Sequence, residues 1–375
     1  MKFIIFSDRS YNYKRPLGDG LAKTLRDMGH ECEVFYDGLY WLYDLNLFKV
    51  FFMDIYRLFL NIKAGKKDLY IYRWWSLINF YNSRRKRLLK ECDCIFLVEN
   101  CPSSFKKLPR INYIRETYKK PVVSYDFHYL PNQGWWKYMQ NGSYNGLEQF
   151  DWYLPVGMVT EFAVPKAIPP IYNCIGMDIQ SEQLTPDQKE FIVLLDFPRP
   201  GHEDIRANEK RMLDDVGVKY IELNGRYTCT DIRAIYRRIS AYIVSFRESF
   251  GLPIVELQLC GAKIFIPHSE WVPAHYLNRD IYVSSTGNLG SNFIVYEGEE
   301  DFKKKILDLK ISFDAKANRR KFEKEYPGYF KINRGELLSF LTKIKEGVIS
   351  SSSHLNYVQY NKYISIEDDY VNSDI

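Results

Sequence analysis

Short apolar runs alternate with amphipathic segments along most of the chain. The first set predicts a strand at Lys2–Ser7, a loop at Gly18–Gly20, a helix at Leu21–Met28 and a strand at Glu31–Tyr36. This order is typical of a βαβ unit. Further buried strands are predicted at Cys94–Glu99, Pro121–Asp126 and Trp152–Val156.

The same alternation starts again in the second half of the chain. It predicts strands at 191–195, 219–223, 241–246 and 263–267, and helices at 203–216, 231–239, 252–259, 302–309 and 335–345. Two such sets predict an α/β protein with two Rossmann-like, doubly wound domains that face a central cleft. We place the domains at 1–175 and 176–349, followed by a polar tail at 350–375.

Composition narrows the class of protein. The 375 residues are 46% hydrophobic and 26% charged, as in ordinary globular proteins. The net charge of +5 falls short of a nucleic-acid-binding signature. Seven cysteines without a repeated spacing predict reduced thiols and a cytoplasmic location. The aromatic content of 16% fits a large core, a carbohydrate-facing surface or a membrane-interface belt, and composition does not choose among them.

One aromatic segment raises the question of membrane contact. Residues 41–62 are rich in Phe and Leu, but Asp44, Lys49, Asp54 and Arg57 exclude a membrane span. The apolar positions follow helical spacing, and a basic run, Ser83–Lys90, comes shortly afterwards. Two interpretations stay open, a solvated helix face and peripheral contact with an anionic membrane at its cytoplasmic face.

The most specific chemical feature lies between a predicted strand and a predicted helix. Glu248 lies at the carboxyl end of the strand, Gly251 marks the turn, and Glu256 lies inside the helix. Both carboxylates are therefore expected at the ligand-binding edge of the sheet. Backbone amides of Phe250, Gly251 and Leu252 are expected to face an anionic or hydroxyl-rich ligand, because a helix begins there.

This segment resembles the retaining GT-B glycosyltransferases, particularly family four, whose signature is two glutamates separated by seven residues around Phe-Gly. Weaker likeness occurs at Leu25–Val34 and Ile171–Asp178. The specific part is confined to about 241–267, and the weak likeness spans about 1–345. The resemblance implies a GT-B fold and transfer of a sugar from a nucleotide diphosphate sugar to an acceptor hydroxyl, with retention of configuration.

The resemblance also implies roles for individual residues. The residue matching Glu248 contacts sugar hydroxyls, and the residue matching Glu256 binds the ribose hydroxyls. Amides after the first glutamate hold the sugar, which adds Ser249, Phe250, Gly251 and Leu252 to the donor site. The family usually places an Arg and a Lys at the diphosphate. Arg199 matches the Arg, but no Lys follows at the usual place. Arg206 is the candidate that could replace this Lys. A plain loop arginine is the alternative for Arg199.

Further candidates come from the first half. His128 follows a predicted strand, where related enzymes often place a histidine against the donor sugar, although a structural histidine fits equally well. Gly18 and Gly20 are candidates for a loop near the donor phosphate or the acceptor. Trp135 and Trp136 are candidates for stacking on a sugar ring of the acceptor. NAD binding is disfavoured, since the third glycine of the fingerprint would fall at Lys23.

The sequence motifs of several enzyme classes are absent. The chain has no Asp-x-Asp, no HExxH, no paired CxxC and no Gly-x-Ser-x-Gly. We therefore expect a metal-independent transferase with no cofactor beyond its donor. The expected acceptor is a glycan or lipid-linked glycan in surface polysaccharide biosynthesis. The alternatives are a catalytically degenerate sugar-nucleotide-binding or assembly protein and, further off, a nucleic-acid-directed binding protein.

Overall fold

The computed structural model describes residues 1–7, 14–36, 83–98, 108–127, 150–157, 173–246, 248, 250–267, 272–277 and 288–354. These residues form two compact units. The first holds the described residues of Met1–Asp126, Gly134–Leu154 and Leu338–Asn361, and the second holds those of Phe127–Gln133 and Pro155–Leu337. The aromatic segment at 41–62 lies outside the described residues. In the part that is described, no helix is long and apolar enough to cross a membrane.

The first unit is built on a five-stranded sheet with the order β2-β1-β3-β4-β5. Its strands are β1 (Lys2–Phe6), β2 (Glu31–Phe35), β3 (Cys94–Leu97), β4 (Val122–Asp126) and β5 (Trp152–Pro155). Its helices are α1 (Lys14–Asp27), α2 (Ser83–Glu91) and α3 (Leu108–Tyr118). β1 pairs in parallel with β2 and β3, and β3 pairs in parallel with β4. Strands β3 and β4 are buried along their length, as expected of parallel strands covered on both faces.

The second unit is also built on a five-stranded sheet, with the order β10-β9-β8-β6-β7 and parallel pairing throughout. Its strands are β6 (Val193–Leu195), β7 (Tyr220–Glu222), β8 (Ala241–Ile243), β9 (Lys263–Ile266) and β10 (Phe293–Val295). Its helices are α4 (Glu203–Asp215), α5 (Cys229–Tyr236), α6 (Leu252–Leu259), α7 (Gly298–Ser312) and α8 (Ala315–Glu325). A last helix, α9 (Arg334–Lys345), begins in the second unit and ends in the first.

Both sheets share one winding pattern. Each first strand lies between the second and third strands of its own set, and the fourth and fifth follow outward. This is a doubly wound arrangement, so the predicted α/β fold with two Rossmann-like units is confirmed. The winding direction reverses between the first and third strands, which in the second unit are β6 and β8. Ligands of open α/β sheets bind outside the carboxyl ends of the strands at such a switch point.

Helix α1 begins earlier in the chain than the sequence pattern predicts. Gly18 and Gly20 were expected in a loop, but both lie inside α1. A Cβ atom at Gly18 would lie 2.8 Å from Ser7 Oγ and 3.6 Å from Val98 Cγ2. The glycine therefore lets α1 approach the ends of β1 and β3, and this close approach replaces the loop that the pattern suggested. The prediction of a loop at these glycines was wrong.

The compact units also divide the chain differently from the domain limits expected at 175 and 349. Ile175 N donates to the Pro155 carbonyl at 3.1 Å, so the segments on either side of 158–172 are joined within the second unit. In the first unit, the ring of Phe340 lies 5.8 Å from that of Phe96. His354 Nδ1 lies 2.8 Å from the buried carboxylate of Asp151. The beginning of the polar tail is therefore part of the first unit.

The contact at Gly18 predicts a coupled effect on stability. Gly18→Ala is expected to lower the free energy of unfolding by about 1–3 kcal/mol, because the added methyl group overlaps Ser7. In a Ser7→Gly background the overlap is gone, and the higher helix propensity of alanine should make the same change neutral or stabilising. Urea unfolding of the four proteins of this double-mutant cycle measures the coupling. Additive effects would contradict the close approach.

Candidate functional site

Two loops of the second unit leave the sheet at its switch point. One joins β6 to α4 and carries Asp196, Arg199 and His202; the other joins β8 to α6 and carries Phe246 and Glu248. Both loops start at carboxyl ends of neighbouring parallel strands, since β6 pairs with β8. Their side chains therefore share the edge of the sheet where a ligand is expected.

Arg199 lies against an aromatic side chain from the other loop. Its guanidinium carbon is 4.2 Å from the centre of the Phe246 ring. The imidazole of His202 meets the same ring edge-on at 5.2 Å. A cation over an aromatic face is held by the quadrupole of the ring, so these contacts fix a positive charge where the two loops meet. The predicted diphosphate-binding residue thus lies at the switch point, and its role stays a prediction.

Asp196 is the first residue after β6. Its carboxylate accepts a hydrogen bond from Phe197 N at 2.8 Å, and its carbonyl accepts one from Arg206 Nη2 at 2.6 Å. The hydroxyl of Tyr242 on β8 is buried nearby. Burial, followed by the negative charge of Asp196, raises the pKa of Tyr242. Asp196 therefore orders the start of the loop that carries Arg199.

Arg206, the candidate substitute for the missing lysine, lies inside the unit. Its Nη1 donates to Glu209 at 2.8 Å, and its Nε lies 3.7 Å from a carboxylate oxygen of Glu222. Burial raises the pKa of the Glu209 carboxyl, and the guanidinium opposes this effect. Because Arg206 also binds the Asp196 carbonyl, its contacts favour a structural role, in which it secures the turn below Arg199.

Glu248 and Gly251 are packed together at the start of α6. Gly251 caps the helix with a φ of 66°. A Cβ atom there would lie 2.8 Å from Glu248 Cγ and 2.7 Å from Ile254 Cδ1. Glycine is therefore required for two reasons: the backbone has a positive φ, and a Cβ atom would overlap the side chain of Glu248. This packing places the partly exposed Glu248 beside the first turn of α6, which begins at Leu252.

Phe250 turns its ring into the core of the second unit. The ring is 2% exposed and stacks on Phe127 at 4.6 Å. Tyr329 meets it edge-on at 4.9 Å, and the ring of His275 lies at 5.8 Å. The side chain is thus an anchor, and only the backbone of Phe250 can face a ligand. Part of the high aromatic content belongs to this core.

Glu256 forms a buried ion pair that the sequence does not reveal. The glutamate is 6% exposed and Arg233 of α5 is 8% exposed. Arg233 donates from Nε at 2.9 Å and from Nη2 at 2.7 Å, both to Glu256 Oε1. It also donates to Gln183 Oε1 and to the carbonyl of Ile179. Burial raises the pKa of Glu256, and the adjacent guanidinium opposes this effect. The pair joins α5, α6 and the segment before β6.

The remaining predicted residues lie elsewhere. His128, Trp135, Trp136 and Ser249 are outside the described residues. Gly18 and Gly20 are buried in α1 of the first unit. Within the described ranges, no group of three or more His, Cys, Asp or Glu side chains is arranged to hold a metal ion. Among the described site residues, Arg199, Glu248 and the start of α6 thus lie on the two loops that leave the neighbouring strands β6 and β8.

Comparison with known proteins gives distant structural likenesses. No protein-family model and no curated protein sequence matches the chain. HepE from Anabaena in complex with UDP-glucose is 12% identical, with 93% of this chain and 99% of that chain covered and a TM-score of 0.47. UDP-GlcNAc 2-epimerase from Neisseria meningitidis bound to UDP-GlcNAc is 8% identical, with coverage of 92% and 100% and a TM-score of 0.47.

A third structure covers a smaller share of the chain. The C-terminal domain of the glycosyl transferase group 1 family protein LpcC from Francisella tularensis is 15% identical. It covers 41% of this chain and 96% of that chain, with a TM-score of 0.28. Because all of these scores are below 0.5, we draw no functional conclusion from them.

The buried ion pair predicts a pH-dependent stability defect. Arg233→Met should lower the free energy of unfolding by about 3–5 kcal/mol at neutral pH, because it leaves Glu256 charged, buried and unpaired. Without Arg233 the pKa of this carboxyl rises further above its unfolded value, so proton uptake favours the folded state. The defect should therefore shrink as the pH falls toward about 5.

Two further variants control this experiment, which is read by urea unfolding at several pH values. Arg237→Met removes a partly exposed arginine one turn further along, whose Nε donates to the Thr185 carbonyl, and should cost about 0.5–1 kcal/mol. Adding Glu256→Leu to Arg233→Met should restore most of the loss. Equal costs for Arg233→Met and Arg237→Met would contradict a structural role of the pair.

The turn at Gly251 predicts that alanine is tolerated less well there than at Gly217, a glycine with a similar φ. Gly217 has a φ of 62° and no atom within 4 Å of an added Cβ, so Gly217→Ala isolates the backbone cost of about 1–2 kcal/mol. Gly251→Ala adds overlap with Glu248 and Ile254 and should cost about 1–3 kcal/mol more. Thermal and urea unfolding measure both. Equal losses would argue against the packing of Glu248 on this turn.

Proposed function

We propose that this protein is a glycosyltransferase, which transfers a sugar from a nucleotide diphosphate sugar to an acceptor hydroxyl. The observation that carries the proposal is the convergence of three features at the switch point of the second unit. They are the positive charge of Arg199, the partly exposed carboxylate of Glu248 and the start of α6. A diphosphate requires positive charge and amide donors, whereas a sugar requires a carboxylate that accepts hydroxyl hydrogen bonds.

Each of these features has a separate role in the proposal. Arg199 and the amides of Gly251 and Leu252 bind the diphosphate and stabilise the negative charge that it gains as the glycosidic bond breaks. Glu248 accepts hydrogen bonds from the sugar hydroxyls. Glu256 accepts hydrogen bonds from the ribose through Oε2, since both hydrogen bonds from Arg233 end on Oε1. The ion pair then fixes the carboxylate for this contact.

The proposed transfer proceeds with retention of configuration. The bond between the anomeric carbon and the leaving phosphate oxygen breaks, and a bond to the acceptor oxygen forms on the same face of the sugar. The acceptor proton passes to the leaving phosphate oxygen, so that no protein side chain is needed as general base. Because the chain lacks an Asp-x-Asp motif, we assign the stabilisation of the leaving group to Arg199 and the amides rather than to a metal ion.

The proposed enzyme is hexosyltransferase-like and resembles family four. We place it in surface polysaccharide or glycan biosynthesis in the cytoplasm, with a glycan or lipid-linked glycan as acceptor. Helix α2 supports peripheral contact with an anionic membrane, because the side chains of Lys86, Arg87 and Lys90 are exposed along it. His128 and the tryptophans at 135 and 136 remain candidates for the donor and acceptor sugars.

A second candidate function is binding of a nucleotide sugar without transfer. It is favoured by one observation, the absence of a lysine from the β6–α4 loop together with the internal pairing of Arg206. Such a protein would retain Arg199 and the start of α6 but have no activity toward any acceptor. Nucleic-acid binding is disfavoured by the net charge of only +5.

Ligand binding and turnover separate these functions. A panel of UDP-, GDP- and ADP-sugars and their nucleoside diphosphates should include at least one compound that raises the melting temperature, because a ligand that binds only the folded state stabilises it. Release of the nucleoside diphosphate in the presence of acceptor or water measures turnover. Binding without any release over the panel favours the non-catalytic function, and no binding at all contradicts both.

A matched pair of variants tests the role of Glu248. Glu248→Gln is expected to lower turnover about 100-fold, because the amide is a weaker hydrogen-bond acceptor than the carboxylate, while the affinity for the nucleoside diphosphate changes less than about 3-fold. Glu300→Gln, at a side chain that is 90% exposed on α7, is the control and should behave as the wild type. Full turnover in Glu248→Gln would remove this residue from the site.

A further inference from the structure

His275 is a buried histidine of the second unit to which the sequence assigns no role. It ends a short 3-10 turn, Pro273–His275, which follows β9. The residue is 0% exposed. A fully buried histidine is uncommon unless its ring nitrogens serve a purpose, so its contacts are informative.

The surrounding side chains hold the position of His275 from two directions. The hydroxyl of Tyr326 donates to the His275 carbonyl, and that of Tyr329 donates to the neighbouring Ala274 carbonyl. Both tyrosine rings meet the imidazole edge-on, with centroids at 5.4 Å, and Phe293 lies at 5.1 Å. Backbone and ring are thus both constrained, and the imidazole has little freedom to turn.

One ring nitrogen contacts the loop that forms the candidate site. His275 Nε2 lies 2.7 Å from the carbonyl oxygen of Phe250. A carbonyl oxygen can only accept, so Nε2 carries the hydrogen and donates it. This contact fixes the direction of the peptide group between Phe250 and Gly251.

The direction of that carbonyl determines the direction of an amide. A trans peptide is planar, and its C=O and N–H bonds point to opposite sides. With its carbonyl held by the buried imidazole, the peptide directs the N–H of Gly251 away from the core. The partly exposed Glu248 lies close to Gly251, since its Cγ would be 2.8 Å from an added Cβ.

We propose that His275 is a positioning residue that aims the Gly251 amide at the diphosphate of the donor. This inference rests on the proposed function for the identity of the ligand. The hydrogen bond from His275 gives the loop one fixed orientation before the donor arrives. A preorganised amide stabilises charge without the cost of reorientation during the reaction.

The peptide group can be observed alone, because Phe250–Gly251 is the only Phe-Gly pair in the sequence. Labelling phenylalanine carbonyls with ¹³C and glycine nitrogens with ¹⁵N yields a single NMR correlation for this peptide. His275→Met, which has no donor, should shift this signal. His275→Gln has a similar length and retains an N–H donor, so its signal should stay closer to that of the wild type.

The same variants are then compared in donor binding and turnover. Tyr329→Phe is the control, because it removes a buried hydrogen bond from the same cluster without touching the Phe250 carbonyl. We expect about a 10-fold loss of donor affinity or kcat/KM in His275→Met, partial recovery in His275→Gln, and a change below about 2-fold in Tyr329→Phe. Similar falls in melting temperature for His275→Met and Tyr329→Phe would show that instability is not the cause.

The outcomes separate this inference from the proposed function. An unmoved signal in His275→Met, or donor binding and turnover equal to those of the wild type, overturns the role of His275 and leaves the proposed function intact. Equal losses in His275→Met and Tyr329→Phe overturn it as well, because the effect would then be general to the cluster. A wild-type protein that binds none of the donors overturns the proposed function and, with it, this inference.

Discussion

The turn from β8 into α6 is the constraint on which the second unit depends. The chain must bring Phe250 into the aromatic core and begin a helix two residues later, which only the left-handed Gly251 between them allows. The stacking of Phe250 on Phe127 and the hydrogen bond from His275 hold this turn from inside. Glu248 packs beside this turn, and the first turn of the helix begins directly after it. A rigid interior thus supports a polar edge at the switch point.

Buried and partly buried arginines join the elements of the second unit. Arg233 links α5, α6 and the Ile179 backbone, while Arg206 links α4 to the first residue after β6. Arg319 of α8 donates to the carbonyls of Leu184 and Leu259. Each guanidinium binds groups that are distant in sequence and would cost free energy if left unpaired. These residues secure loops, whereas Arg199 remains near the surface with its charge over Phe246.

The bounds of an element were predicted well where its burial produces a continuous apolar run. The apolar run of α6 predicted its bounds, and the buried strands β3, β4 and β9 lie within one or two residues of expectation. The elements that were not predicted include β10 and α8. Strand β10 has three partly exposed residues, and α8 buries only Asn318 and Phe322 in an otherwise charged sequence, so neither carries a clear apolar stripe.

The candidate site was predictable only in part. The spacing of Glu248, Gly251 and Glu256 placed them at the end of a strand and in a helix, because this geometry is local. The partners of Glu256 and Phe250, Arg233 and His275, lie 23 and 25 positions away, and nothing in their own surroundings distinguishes them. Such pairs arise when helices pack together, which a single sequence does not record.

The most direct measurement is a crystal structure of the protein with the nucleotide diphosphate sugar that stabilises it most. The diphosphate should lie within hydrogen-bond distance of the Arg199 guanidinium and the Gly251 amide, with the sugar against Glu248. A donor bound away from the carboxyl ends of β6 and β8 would contradict the assignment of this switch point as the nucleotide-sugar site.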